Sequence, residues 1–194
     1  MRTLLTVLCL CAIVVSRPTE AMVGLVSLEK LIVTSDAIVV AQVVRVSGPP
    51  RHSGRERFAT AQVLRSFKGP LDGSFRFLAS PTWTCDLSDA VDGEVVLLFL
   101  NRRDASSFAI AHSGHGRMPL RRVAGKTYVT LFTNTVRLPP DAPTIPGPDP
   151  AVSLVVSVEL PYVRALVATP NGTSSRGLTP ACSGLASLAT DARR

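Results

Sequence analysis

Two runs constrain this chain more than anything else in it. AIVVAQVVRVS, Ala37 to Ser47, and EVVLLFLN, Glu94 to Asn101, are crowded with β-branched and large aliphatic residues that barely alternate with polar ones. Runs of this length and composition read as strands buried on most of both faces. Glu94 to Asn101 is the most hydrophobic segment beyond residue 21 and is expected to be the central strand. A strand with two apolar faces needs a core on one side and a cover on the other. Any fold for this chain must supply both.

The neighbouring segments suggest how. A short helix is expected from Ser27, with Ser27 as its cap, Leu28, Leu31 and Ile32 on one face, and Thr34-Ser35-Asp36 ending it. RFATAQVLRSF, Arg57 to Phe67, reads as a second strand, and KGPLDG as a turn in which Asp72-Gly73 supplies a left-handed position. In SFRFLA, Phe75 and Phe77 share one face of a third strand. Asn101-Arg102-Arg103-Asp104 turns into a shorter strand, SFAIAH, followed by the glycine-broken HSGHGRMPL. KTYVTLF, Lys126 to Phe132, reads as a last strand.

Six of the thirteen residues from Leu138 to Pro150 are proline, so this stretch is expected to be extended and outside any sheet interior. Pro161 suits the first turn of a helix running to about Ala168, with Tyr162, Val163 and Leu166 facing inward. The Gly/Ser/Thr-rich residues 169–194 read as a flexible tail. Five or six short strands with two small helices point to a mainly β, closed or nearly closed barrel, with the helices as its outer cover.

The N-terminus bears on compartment. Arg2, an apolar run from Leu4 to Val15 and small residues around Ala21 form an export-signal pattern, and the run is too short to span a bilayer. The expected protein is therefore secreted or periplasmic and starts at Met22. Cys9 and Cys11 leave with the signal. Cys85 and Cys182 remain, and in an oxidising compartment they are the candidate disulfide, the alternative being two unpaired thiols.

The chain has 21 Lys+Arg and 14 Asp+Glu, and losing Arg2, Arg17 and Glu20 leaves 19 against 13, a net charge of +6. Acidic proteins, anionic polysaccharide and lipid headgroups suit such a surface, although arginine enrichment also follows from a GC-rich genome. Arg102, Arg103, Arg117, Arg121 and Arg122 flank adjacent turns and are the candidate interaction surface.

The order of segments carries a resemblance. A helix ending in Ser35-Asp36 leads into AIVVAQVVRV; then come a strand finishing in FKG, a loop with Trp83 and Cys85, VVLLFL and the turn HGRMPL. From Ser27 to Phe132 this resembles exported bacterial proteins of unknown function whose domain is similar to the OB-fold of netrin-like domains and tissue inhibitors of metalloproteinases. The resemblance implies a five- to six-stranded OB-like barrel, expected over residues 22–137; the proline-rich residues 138–150 are then expected as a connector, and 151–168 as a strand and helix packed on the barrel. The animal inhibitors bind the protease zinc through an N-terminal cysteine. Met22-Val23-Gly24 offers none, so that mechanism is not expected here.

Chemistry-bearing patterns are sparse. His112 and His115 are a weak candidate metal pair, with no Cys, Asp or Glu in the ten residues after them. Asp86, Asp89 and Asp92 lack the spacing and closing glutamate of an EF-hand loop and read as solvated. Ser113 lies in no nucleophile elbow. No phosphate loop, HExxH helix or dinucleotide fingerprint occurs. Phe58, Phe67, Phe75, Phe77 and Trp83 near Arg51, Arg55, Arg57 and Arg76 resemble a single-strand-binding face, but the aromatics are expected in the core, and export removes nucleic acid as a partner. Asn171-Gly172-Thr173 reads as a turn rather than a glycosylation site. The expected function is an exported, non-enzymatic binding module that needs no cofactor and meets a protein or an anionic glycan. The alternatives are a protease inhibitor acting by loop insertion and a metal-dependent enzyme built on His112, His115 and the Asp86 loop.

Overall fold

The computed structural model describes residues 24–48, 56–80 and 88–169. The expected signal, Cys85, Cys182, Asp86, Trp83, Arg51, Arg55, Asn171 and the tail all lie outside these residues.

The two doubly apolar runs form β2 (Ala37–Ser47) and β5 (Val95–Arg102), paired antiparallel from Ala37 opposite Leu100 to Gln42 opposite Val95. On its other edge β2 pairs with β3 (Phe58–Lys68), which pairs with β4 (Ser74–Leu78). β4 then runs parallel to β6 (Ser107–Ile110), and β6 returns antiparallel to β5. The circular order β2-β3-β4-β6-β5 closes a five-stranded, OB-like barrel. Three register shifts between β2 and β3, near Ile38, Val40 and Val43, bend these eleven-residue strands round the barrel.

Closure depends on how β5 divides one edge between two partners. Val96, Leu97 and Leu98 pair with β7 (Arg117–Val123), while Leu100, Asn101 and Arg102 pair with β6. At the changeover, Phe99 N–H donates to the Gly116 carbonyl and the Phe99 carbonyl accepts from Ala111 N–H, both at 2.8 Å. The 111–116 turn is thus wedged against β5. His112, Ser113 and Gly114 take φ of 53°, 52° and 86° to make that turn. A Cβ on Gly116 would lie 2.9 Å from the Phe99 carbonyl oxygen, so only glycine fits there.

HGRMPL is a turn only in its first half. Arg117, Met118 and Pro119 pair with β5, and from Leu120 onward the same strand pairs with β8 (Lys126–Phe132) through a two-residue Ala124-Gly125 turn with positive φ at both positions. Pro119 sits where the strand passes from one neighbour to the other, where a missing N–H costs least. β8 is therefore outside the barrel and is not the last strand. It pairs with β11 (Val155–Glu159), and β11 with the edge strand β10 (Thr144–Pro146) from the proline-rich stretch. β1 (Val26–Ser27) pairs parallel to β9 (Val136–Arg137).

Two cores result. Inside the barrel, Val39, Ala41 and Val43 meet Phe75, Phe77, Leu98, Leu100 and Phe108. Outside it, Ile38, Val40, Leu97 and Phe99 are covered by Met118, Val129, Leu131 and Val158 from the β7-β8-β11 extension and by two helices, α1 (Leu28–Thr34) and α2 (Leu160–Ala168). The cover is thus mostly sheet, with the helices completing it. Ser27 caps α1, its hydroxyl accepting from Lys30 N–H at 3.1 Å. Pro161 lies in the first turn of α2; Val163 is the buried residue of that helix, and Tyr162 and Leu166 pack beside it half-buried.

The FKG that ends β3 has a specific task. The Lys68 ammonium donates to the Ile32 and Val33 carbonyls at 2.7 and 3.0 Å, capping the C-terminal end of α1. Gly69 passes beneath Asp36 with φ of 77°, and a Cβ there would fall 2.5 Å from the Asp36 carbonyl oxygen.

Candidate binding face

β3 and β4 differ from β2 and β5 because their sequences do alternate. Ala59 and Ala61 on β3, with Phe75 and Phe77 on β4, point into the barrel. Phe58, Thr60 and Gln62, opposite Leu78, Arg76 and Ser74, take the outer side. Among the described residues no helix or strand covers this outer side around Phe58 and Arg76. The loop between β5 and β6 turns beside it.

Phe58 is the centre of the arrangement. The Arg76 guanidinium carbon lies 4.5 Å from the Phe58 ring centroid, and that of Arg103 lies 5.7 Å away. Two cations on one ring repel unless something offsets them. Glu56 does so for Arg103, accepting a two-pronged contact at 2.6 and 3.1 Å. That bonding also raises the Arg103 pKa above its usual value. Arg76 has no ion-pair partner among the described residues.

The loop carrying Arg103 is stiffened from below. Asp104 accepts from the Ser107 hydroxyl and from the N–H and hydroxyl of Ser106, and these bonds hold its carboxyl down at about 2. A half-buried ring between two guanidinium groups, one held by Glu56 and the other, Arg76, exposed, suits an anion or a second flat group.

The five arginines singled out by sequence do not form one patch. Arg103 belongs to the face just described, while Arg102 lies with its guanidinium carbon 5.0 Å from the Phe108 centroid. Arg117 sits opposite Leu98, four residues back along β5, and is held by both carboxylate oxygens of Glu94 with side chains only 14% and 15% exposed. Arg121 donates to the Pro146 carbonyl, tying β7 to β10. Arg122 is exposed on the same strand, further from Arg102.

The remaining candidates have structural surroundings. The His112 and His115 rings lie 5.5 Å apart; His112 Nε2 is 2.8 Å from the Gly24 carbonyl, and His115 is buried in the 111–116 turn. Among the described residues no third His, Cys, Asp or Glu joins them. Asp89 pairs with Arg57 at 3.1 Å, and Asp92 accepts from Val46 N–H at 2.6 Å, so both fasten the 88–92 segment to the barrel. Phe75 and Phe77 are core residues, with Phe75 edge-on to Phe108. Phe67 lies under α2. No helix among the described residues is long and apolar enough to cross a membrane.

No protein-family model matches this chain, and no curated protein does. The functional reading therefore rests on its own geometry.

Sequence reasoning placed Phe58 in the core with the other phenylalanines. The signal that separates it was available in the alternation Phe58, Thr60, Gln62, which puts it on the polar side of β3. Its pairing with Arg103 was not, because the β5–β6 turn reaches it only through barrel closure.

Proposed function

We propose that this chain is an exported binding module, without catalytic turnover, that meets an acidic protein or anionic glycan through the outer face of β3 and β4. One observation carries the reading: a half-buried Phe58 ring bracketed by the guanidinium groups of Arg76 and Arg103 on a side of the barrel that no helix or strand among the described residues covers. OB-type barrels use the corresponding pair of strands and the two loops beside it for ligands, which supports the choice of face by analogy. The resemblance to netrin-like domains of exported proteins supports the compartment.

The test is retention of the purified chain on a sulfated glycan matrix and on acidic extracellular protein, against Arg76→Glu, Arg103→Glu and Phe58→Ala. Loss of roughly tenfold or more in affinity for one class in all three variants is expected, since each removes a charged or cation–π contact. Unchanged affinity in all three ends the proposal. Turnover of any substrate by the purified chain would end its non-catalytic part.

A further inference from the structure

A second site lies at the opposite end of β3 from Phe58. Between the outer side of β3, the β7–β8 turn and α2 runs a groove of about 590 Å³. Phe67 and Leu160 form its apolar wall, and Arg65, Lys126 and Arg164 stand around it. Its single acid, Glu159, is engaged by Lys126 at 2.6 Å. Arg65 and Arg164 are exposed and form no ion pair among the described residues. The groove therefore keeps two uncompensated positive charges beside a hydrophobic wall.

That combination is selective. A bare inorganic anion would leave the Phe67 and Leu160 surface in water, and a glycan would set hydroxyls against it without partners. A neutral apolar molecule would leave both guanidinium groups unused. A groove of this volume falls in the range that holds small ligands. We propose that it binds a small amphiphilic carboxylate, with the apolar body against Phe67 and Leu160 and the carboxylate paired with Arg65 and Arg164.

The experiment titrates the purified chain with decanoate, below its micelle threshold, by calorimetry, with acetate and decanol as separated halves of the ligand. Decanoate is expected to bind at least about tenfold more tightly than either half, and Arg65→Glu and Arg164→Glu are each expected to lower its affinity about tenfold. Arg65→Lys and Arg164→Lys should retain most of the binding, and Arg76→Glu all of it. Both arginines are exposed, and a thermal melt checks that each variant folds. Equal binding of acetate or decanol, or decanoate affinity unchanged in both glutamate variants, overturns the proposal. Tighter binding of an acidic peptide than of decanoate overturns it in favour of protein docking.

Discussion

The outer sides of β2 and β5 and of β3 and β4 belong to the same closed barrel but are finished differently. The first is roofed by β7, β8, β11 and both helices, and Leu97 and Phe99 there are as inaccessible as Leu98 and Leu100 inside. The second has no such roof around Phe58 and Arg76, where Arg76 and Gln62 are exposed and Phe58 is held between cations. One side contributes stability, and the other carries the face proposed above for binding. The difference begins in the sequence: a strand without alternation demands a cover, and one with alternation does not.

The largest test compares the two sides of β5. Leu97→Ala and Leu98→Ala face different cores, and each is expected to cost about 2–5 kcal/mol in denaturant unfolding, within a single transition. If Leu97→Ala instead splits the transition in two, the roof is a separable unit and the comparison fails.

Next is Gly69→Ala, where the roof meets the barrel. Its left-handed backbone and the Asp36 carbonyl together predict a loss of about 2–3 kcal/mol, and a loss below 1 kcal/mol would show that α1 can shift freely over β3.

A gain is expected within the roof. Ala124 has φ of 48° at a hairpin position that Asn tolerates better. Ala124→Asn should raise stability by about 0.5–1 kcal/mol, read as an increased melting temperature.

The smallest effects belong to the open side. Arg76→Ala should change stability by less than about 0.5 kcal/mol, while it weakens partner binding. Asp104 sharpens this through pH. Its folded pKa is lowered from 3.8 to about 2, so its contribution to the turn is complete above the ordinary value and is lost as pH falls through about 2. An NMR titration of its carboxyl with a midpoint near 4 would show that the Ser106 and Ser107 bonds do not hold the loop under Arg103.

Much of the barrel was legible because local burial leaves a local trace. Ala37–Ser47 and Lys126–Phe132 have the bounds expected from their composition, and Ser27 and Pro161 mark their helices for reasons that involve only adjacent residues. β7 was hidden by HSGHG at one end and Pro119 in its middle, both ordinarily signs of irregular chain. It forms a strand because its two halves serve different neighbours. Arg117 read as a free surface cation because nothing local announces Glu94, which reaches it only through the β5–β7 pairing.

The sequence by itself determined most of the barrel strands, the helix starts and the need for a cover over β2 and β5. Periodicity and capping report how each residue is buried relative to its immediate neighbours, and those signals do not depend on what lies across the sheet. Only the tertiary structure decided the parallel β4–β6 pairing that closes the barrel, the division of β5 between β6 and β7, and the encounter of Phe58 with Arg103. Strand pairing depends on the twist and bulges of long strands and on backbone approaches such as Gly116 against Phe99, which involve residues distant in sequence. The arrangement of Phe58 between Arg76 and Arg103 is a product of that closure.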